Sequence, residues 1–481
     1  MGTTHIWLGT DTVARDLLVR RQRRYCDRPE FHGALGVREG SEVLPLMAYS
    51  TTWHRYKSFM HSIMRDANPR GFYGWPAGED TRTLRRLLES PERWSEHLLT
   101  HCARTVAGVA WGDPAHATKL LTIVPPLLKA ISPAGPLINK LPFLKYLPEA
   151  ISPFKQAERL RKSEMQDAFY EALRDVISRV QNGTAEDCWS KLWLENTDMK
   201  AEHKLDFHEA AHAIGSSSFV AITTIGNPLH AFFSAMCHYP AWQTKVQEEI
   251  DTICAGRRPT LADMPNLPRL RATVKELMRW RQTAPLGAPH MAMEDDVYEG
   301  YFIPKGAILH ANHHLITRDE QLYPSGEEFV PERWLDPAYP TYRGPLTEFP
   351  NLRGDVAFGY GNRACPGIDL TQTELVSLIG AILWGFNIKS PVGRDGAPVS
   401  VPWYESNPFA ITLLRPFACG ITVRSEEKRL QILESCDDPS YSLKADESQR
   451  TSRWDIVREE GQSLYTWEGL AVPVAATQQT R

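Results

Sequence analysis

Cys365 stands in a short glycine-rich stretch, VAFGYGNRACPGIDL (residues 356–370), whose residue types could hold a metal ion. A thiolate is a strong metal ligand, but positive charge or backbone N–H donors must keep it from being protonated. Gly359, Gly361 and Gly367 permit a tight turn that aims amide N–H groups at the sulfur. The stretch therefore predicts a cysteine that is presented as a metal ligand.

Two further side chains of this stretch fit a bound ligand that carries both an apolar face and a negative charge. Phe358 can shield the sulfur from water. Arg363 lies two residues before Cys365, so in an extended segment its guanidinium could reach an anionic group on the same ligand. The competing interpretation is a buried, inert cysteine that only fills space.

The elements that must position these residues are mostly helical. The segment YSTTWHRYKSFMHSIM, which begins at residue 49, has helical spacing, and helices dominate from there to about residue 280. From residue 284 short β-rich runs and turns indicate a small sheet beside the helical body. The sequence therefore predicts a mainly α protein with a smaller β-rich lobe.

The longest apolar stretch, residues 216–237, raises the question of a membrane span. Asn227, Pro228 and His230 interrupt it, which favours a buried helix. Residues 132–154 combine repeated prolines with Leu, Ile and Phe, so this loop either packs onto the core or presents an apolar surface to a membrane. The early run RRQRRYCDRPEF (residues 20–31) is typical of a basic surface segment.

The composition excludes several classes of protein. The 481 residues are 42% apolar and 23% charged, which is ordinary for a globular protein, and the net charge of -4 offers no basic field for nucleic acid. The eight cysteines include no CxxC pair, which argues against a zinc cluster or a disulfide framework. We expect a catalytic domain over residues 1–427 and a polar extension over residues 428–481.

The pattern Phe358-x-x-Gly361-x-Arg363-x-Cys365-x-Gly367 resembles the haem-binding signature of the cytochrome P-450 family. The likeness extends over residues 40 to 425, and the motifs in this range are similar to those of fungal members that oxidise secondary metabolites. The resemblance implies the cytochrome P-450 fold and haem b (iron protoporphyrin IX), with Cys365 as the iron ligand.

Three more residues match the family in the required order. VKELMRW contains Glu276 and Arg279, three residues apart on one helical face, and FVPERWLD supplies Arg333. Alone, the first pair is a common helix contact. The resemblance implies that the three form a buried structural triad which braces the cysteine loop.

A haem carries two propionates, which need neutralising at the edge of an apolar slot. The resemblance assigns cofactor-binding roles to Arg363 and to Trp53 and Lys57 of an early helix, where the family pattern has arginine in place of Lys57. Lysine supplies the charge without the bidentate hydrogen bonding of arginine, so we expect weaker haem retention at that corner. His290 occupies a family position that often meets the second propionate; the alternative is a surface histidine at a strand start.

The helix that faces oxygen in this family aligns with VAITTIG, where Thr224 takes the conserved alcohol and Thr223 takes the place of an acid. In the family, acid and alcohol relay protons to dioxygen. We expect Thr224 to organise water and oxygen with Thr223 in support. The competing view is that two β-branched residues fill a helix. Pro228, one turn later, should bend or widen this helix beside the pocket.

Three functions remain open at this point. The resemblance favours a haem-thiolate monooxygenase that oxidises a lipophilic small molecule. The second function is a haem-thiolate enzyme without the usual oxygen activation, such as an isomerase, a dehydratase or a peroxide user, for which the missing acid would cost little. The third is a non-catalytic haem-binding or ligand-binding relative.

The expected partner and location also follow from the resemblance. No flavin or nicotinamide fingerprint is present, so electrons must come from a partner, NADPH-cytochrome P-450 reductase, docked on the cysteine side through Arg353, Arg363 and the region of Lys57. We expect the cytoplasm or the cytosolic face of the endoplasmic reticulum. We expect no N-terminal anchor helix of the kind that the family carries, so membrane contact would be peripheral, through residues 132–154.

Overall fold

Helices form most of the described chain, with small sheets at one side, as the sequence predicts. The computed structural model describes residues 3–38, 40, 43–67, 71, 74–393 and 399–436. The helices, in chain order, are α1 (Asp11–Arg15), α2 (Gln22–Tyr25), α3 (Thr51–Ala67), α4 (Trp75–Glu89), α5 (Trp94–Trp111), α6 (Ala117–Ile131), α7 (Pro153–Gln181), α8 (Trp189–Glu195), α9 (Thr197–His203), α10 (Phe207–His238), α11 (Pro240–Cys254), α12 (Pro268–Trp280), α13 (His313–Ile316), α14 (Ile368–Gly385) and α15 (Glu426–Cys436).

The strands form three small sheets, of which two make up the β-rich lobe and the third is a C-terminal strand pair. They are β1 (His5–Leu8), β2 (His290–Met291), β3 (Asp296–Tyr298), β4 (Tyr301–Ile303), β5 (Ile308–Ala311), β6 (Phe386–Lys389) and β7 (Gly420–Val423). In the first sheet β5 lies between β1, which is parallel to it, and β2, which is antiparallel. β3 and β4 form a hairpin, whereas β6 and β7 pair antiparallel although residues 390–419 lie between them in the chain.

The β3–β4 hairpin shows how local sequence sets the register of the lobe. Tyr298 pairs with Tyr301, which leaves Glu299 and Gly300 as a two-residue turn. Both turn residues have positive φ, at 48° and 83°. That combination is the turn geometry whose twist matches a β-hairpin, and glycine at its second position adopts it without strain.

Helix α10 runs through the centre of the helical body and packs against α5, α6, α7 and α14. Its start is fixed by a capping box, in which Asp206 accepts from the Glu209 amide and the Glu209 side chain accepts from the Asp206 amide. Among the described residues α10 is the one helix long and apolar enough to cross a membrane, yet 83% of its most apolar window is buried inside the protein. The predicted buried helix over residues 216–237 is confirmed.

The boundary predicted between residues 427 and 428 falls inside α15. This helix is attached to the body, since Ile432 is fully buried and the Lys428 ammonium group donates to the Gly256 carbonyl. The remainder of the predicted extension, residues 437–481, lies outside the described residues.

Candidate cofactor site

The cysteine loop joins a 3₁₀ turn, Gly361–Arg363, to the start of α14. The Cys365 amide donates to the Phe358 carbonyl at 2.8 Å, and the Gly367 amide donates to the Cys365 sulfur at 3.4 Å. The Gly359 amide instead donates to the Val356 carbonyl. Only part of the predicted cradle is therefore present among the described glycines, and it is Gly367 that supplies the N–H donor to the sulfur.

Gly361 is required for a reason other than contact with the sulfur. Its φ of 57° lies in the left-handed region, and a Cβ atom there would lie 2.1 Å from the Leu18 carbonyl oxygen. A side chain at this position would have to push two backbone segments apart. Gly361 thus fixes how closely the cysteine loop approaches the segment that carries Leu18.

The Cys365 side chain is solvent-accessible, although it lies deep enough for desolvation to raise the pKa of its thiol. Accessibility and desolvation together indicate that the sulfur lies in a recess of the protein and not among packed side chains. Cys365 differs in this from Cys102, Cys188 and Cys254, which are buried among packed side chains. The inert-cysteine interpretation therefore fails on geometry. Since the thiolate is the metal ligand, binding a metal here must release a proton.

Helix α10 presents one accessible stripe in an otherwise buried stretch. Between residues 210 and 236 the partly accessible side chains are those of Ser217, Val220, Ala221 and Thr224. Their spacing of three and four residues places them on one face of the helix. A helix in the middle of a packed body can expose such a stripe only to an internal space.

Thr224 belongs to this stripe and Thr223 does not. The Thr224 hydroxyl donates back to the Val220 carbonyl at 3.0 Å, or to that of Ala221 at 3.3 Å, which leaves its oxygen lone pairs free to accept from the space. The Thr223 side chain is 2% exposed, and its hydroxyl has no hydrogen-bond partner. The structure therefore separates two residues that the sequence pattern grouped together.

Pro228 changes the hydrogen bonding of α10 at Thr224. A proline has no N–H, so the carbonyl four residues earlier, that of Thr224, loses its helical donor. The Thr283 hydroxyl lies 3.3 Å from this carbonyl and donates to it. Sequence reasoning missed Thr283. The proline showed that a donor was needed, but which residue supplies it depends on tertiary packing.

Arg363 leaves most of its hydrogen-bond donors unused. Because Gly361–Arg363 is a 3₁₀ turn and not the extended segment that was expected, the guanidinium turns inward. Its Nε donates to the Cys26 carbonyl at 2.7 Å and its plane lies 4.0 Å from the centre of the Trp53 ring. Its two terminal nitrogens are buried without a hydrogen-bond partner. Four N–H donors in a fork are thus left for an acceptor that the protein does not supply.

Positive charge accumulates around Arg363. Burial lowers the pKa of Arg363 to about 10 and that of Arg28 to about 9, and burial also lowers the pKa of Lys57. Repulsion from Arg363 contributes to the shift in Arg28 and in Lys57. The nearby carboxylate of Asp27 is already paired with Arg38 at 2.7 Å. The site therefore lacks negative charge, and an anionic ligand would supply it.

Arg28 corrects one sequence-based interpretation. It belongs to the run RRQRRYCDRPEF, which was expected to be a surface segment, yet its side chain is 3% exposed. Its guanidinium donates to the carbonyls of Pro45, Ala288 and Pro289. The segment is therefore partly an inner wall of the site, and composition alone could not show this.

Lys57 and His290 both lie near this charge, and each is held by a backbone carbonyl. The Lys57 ammonium group donates to the Asn362 carbonyl of the cysteine loop and lies 5.2 Å from the centre of the Trp53 ring. His290 is buried at the start of β2, with Nδ1 2.8 Å from the Tyr25 carbonyl, and its pKa is held well below the usual range by burial. The surface alternative for His290 is therefore excluded. The neutral ring donates through Nδ1, so only the protonated form could also donate from Nε2 to a carboxylate.

The structural triad predicted from the sequence is confirmed. Both Glu276 oxygens accept from Arg279, at 2.9 and 2.7 Å, and one accepts from the Arg333 Nε at 3.1 Å. The Trp334 ring N–H and the Val330 amide also donate to Glu276. The side chains of Glu276, Arg279 and Arg333 are each at most 1% exposed. A buried carboxylate with this many donors fixes α12 against the segment that precedes the cysteine loop.

The residues present fit a haem. Cys365 would ligate the iron, and the accessible stripe of α10 would border the internal space. The unpartnered nitrogens of Arg363 would hold one propionate together with Trp53, and Lys57 would add positive charge. His290 is at this corner as a neutral ring. The orphaned donors of Arg363 are the observation that carries this fit.

Comparison with known proteins agrees with this geometry. The family profile described as Cytochrome P-450 matches residues 94–402. The chain is 33% identical over 448 residues to cytochrome P-450 monooxygenase psoD of Aspergillus fumigatus, covering 90% of this chain and 84% of that protein. It is 30% identical over 443 residues to tryptamine 4-monooxygenase of Psilocybe cyanescens, covering 89% and 85%.

Solved structures show the same fold. A zebrafish cytochrome P-450 determined with progesterone superposes with a TM-score of 0.70 at 20% identity, covering 87% of this chain and 93% of that one. A second zebrafish structure, determined with abiraterone, gives a TM-score of 0.64. The family profile and these relatives show that the chain belongs to the cytochrome P-450 family and is a haem b monooxygenase related to fungal enzymes of secondary metabolism.

Proposed function

We propose that this protein inserts one oxygen atom from dioxygen into a lipophilic small molecule of secondary metabolism, using electrons from NADPH-cytochrome P-450 reductase. The observation that carries the proposal is the accessible stripe of α10. The stripe is apolar at Val220 and Ala221, and it offers hydroxyls only at Thr224 and Ser217. Such a wall suits a lipophilic substrate with one place for bound water.

The roles of the protein's own groups follow from their contacts. Haem b, when bound, supplies the iron at which dioxygen is activated. Cys365 donates electron density as the thiolate, with the Gly367 amide stabilising its charge. Arg363 holds a propionate and so fixes the orientation of the cofactor in the slot. Phe358 contributes its backbone carbonyl to the loop and shields the sulfur.

Thr224 has the role of holding water for proton delivery in this proposal. Its hydroxyl proton is engaged within α10, so its lone pairs can orient a water molecule in the internal space. Thr223 is buried away from that stripe and takes no direct part. Since a threonine cannot supply a proton near neutral pH, protons must arrive through a chain of water molecules that ends at Thr224.

The reductase would dock on the cysteine side through exposed arginines. Arg353 is an exposed side chain that pairs weakly with Asp369, and it lines a surface pocket together with Arg343 in the segment leading to the cysteine loop. Exposed positive charge steers an acidic partner. Arg363 is withdrawn from this role because its free nitrogens are buried and face inward. Lys57 is engaged with the loop carbonyl of Asn362.

The segment 132–151 supports peripheral contact with a membrane. Phe143, Tyr146 and Ile151 are 62%, 79% and 65% exposed, and Leu137 is 59% exposed. An apolar patch of this kind beside Lys145, which pairs with Glu30, would insert into the interface of a bilayer. The alternative of a loop packed onto the core does not fit these exposures. These exposures support our proposal that the enzyme contacts the cytosolic face of the endoplasmic reticulum.

Turnover with isotope-labelled dioxygen tests the proposal. Purified holoenzyme, reductase and NADPH are incubated with a panel of lipophilic metabolites, and products are analysed by mass spectrometry. One labelled oxygen per product molecule, dependent on reductase, supports a monooxygenase. Unlabelled product formed without reductase would show an isomerase or dehydratase, and product formed only with added peroxide would show a peroxide-dependent enzyme. Haem binding without turnover of any metabolite would favour the non-catalytic relative.

A further inference from the structure

Two cysteines lie side by side where α10 ends. Cys237 is in the last turn of α10 and Cys419 immediately precedes β7, and their sulfur atoms are 3.8 Å apart although 182 residues separate them in the chain. Both side chains are partly exposed. A disulfide requires a sulfur–sulfur distance of about 2.05 Å, which small rotations of two side chains can reach from this separation.

No other described cysteine is arranged in this way. Cys102, Cys188 and Cys254 are buried, and each lacks a second thiol in contact among the described residues. Cys26 is buried against the Met293 sulfur, which cannot form a disulfide. The Cys237–Cys419 pair is therefore the place where both proximity and access to a small oxidant occur together.

We propose that Cys237 and Cys419 form a reversible disulfide when the protein meets hydrogen peroxide. The Cys237 thiolate attacks one peroxide oxygen, the O–O bond breaks, and hydroxide leaves and takes up a proton to become water. The sulfur is then a sulfenic acid. Cys419, after losing its proton, attacks that sulfur, and a second hydroxide leaves as water. In sum, two thiols and one hydrogen peroxide give one disulfide and two water molecules.

Within this proposal Cys237 is the attacking group and Cys419 the resolving group, although the 3.8 Å contact between their sulfur atoms is itself symmetric. A hydrogen bond from Cys419 lowers the pKa of the Cys237 thiol, and the same contact raises the pKa of Cys419. The group with the lower pKa holds the larger thiolate fraction and reacts first with peroxide. Cys419 then acts as the resolving thiol, already in contact with the sulfur that it must attack.

The bridge would join α10 to the segment that ends at Cys419. That segment already contacts the core of the protein, since the Leu414 amide donates to the Asn227 side chain at 3.0 Å and the Phe417 carbonyl accepts from Trp94. A covalent link at Cys419 would restrict its motion relative to α10. A thiol reductant such as glutathione would release the link and regenerate both thiols.

The test is peptide mapping of the folded holoprotein after brief treatment with hydrogen peroxide and alkylation of free thiols. We expect one cross-linked peptide pair that joins Cys237 to Cys419, and its loss after treatment with dithiothreitol. Cys237→Ser and Cys419→Ser should each abolish it, whereas Cys188→Ser, a matched control at a buried single thiol, should leave it intact.

The proposal does not depend on the catalytic role of the site. Recovery of both thiols as alkylated peptides after peroxide would overturn it. Conversion of Cys237 to sulfinic or sulfonic acid with Cys419 still free would overturn it equally, because the resolving step would then have failed. A cross-link that persists in Cys188→Ser and disappears in both pair variants supports it.

Discussion

The cysteine loop and helix α10 differ in how far their backbone and side-chain groups are hydrogen-bonded. In the loop the Cys365 amide, the Gly367 amide and the backbone at Gly361 each have a defined partner or neighbour, and the unpartnered groups are the terminal nitrogens of Arg363. Helix α10 has an unpartnered hydroxyl at Thr223 and a proline that removes a helical donor. The backbone of the cysteine loop is thus fixed, while α10 carries the departures from the family pattern.

The triad that braces the cofactor side gives the largest expected effect. Glu276→Gln removes the charge that compensates Arg279 and Arg333 in a fully buried site. We expect a loss of about 3–5 kcal/mol in the free energy of unfolding and poor haem incorporation. Denaturant unfolding and the haem-to-protein absorbance ratio measure both effects.

A surface carboxylate provides the control for this prediction. Glu171→Gln removes an exposed partner of Lys119, and we expect a change of about 0–1 kcal/mol. Equal losses in the two variants would show that Glu276 has no special structural role.

The charged corner should give the next largest effect. Arg363→Lys retains a positive charge but loses the fork of donors that the structure leaves free, so we expect haem to dissociate roughly tenfold faster. Transfer of haem to an apo-globin acceptor measures the rate. Arg353→Lys, at an exposed site, should leave the rate unchanged. An unaltered rate in Arg363→Lys would contradict the assignment of a propionate to Arg363.

Substitutions of the two threonines of α10 test the accessible side and the buried side of that helix separately. Thr224→Val removes the hydroxyl that faces the internal space, so we expect less product formed per NADPH consumed. Thr223→Val removes a buried, unpartnered hydroxyl and should stabilise the protein by about 1 kcal/mol without changing this ratio. If Thr223→Val lowers the ratio and Thr224→Val does not, the assignment is reversed.

Thr283 gives the smallest expected effect. Thr283→Val removes the donor to the Thr224 carbonyl, which Pro228 leaves without a helical partner. We expect a loss of about 1 kcal/mol in stability. Pro228→Ala restores a helical N–H, so in its background Thr283→Val should cost less, and thermal unfolding of the four proteins measures this coupling. Additive losses would mean that Thr283 does not compensate for the proline.

The sequence predicted best what depends on local chemistry. Cys365 was predicted because a presented thiolate needs turn residues and a donor close to it in the chain. The triad followed from the family resemblance, since the spacing of Glu276 and Arg279 alone indicates only a helix contact. The helical body and small β lobe followed from periodicity. The buried nature of α10 followed from its interrupting polar residues.

What the sequence could not predict depends on segments that are distant in the chain. Arg28 was assigned to a surface because its neighbours are basic, and its burial is set by carbonyls of residues 288 and 289. The free nitrogens of Arg363 depend on where Cys26 and Trp53 lie. The difference between Thr223 and Thr224 is one of helix orientation, which an aligned motif does not specify.

The carbon monoxide spectrum of the reduced protein tests the central claim most directly. If Cys365 is the thiolate ligand to iron, the wild-type protein will show a thiolate-type Soret band, and so will Cys188→Ala, which changes a buried cysteine away from the site. Cys365→Ala will lack this band and all oxygenase activity. A thiolate-type band that persists in Cys365→Ala would contradict the account.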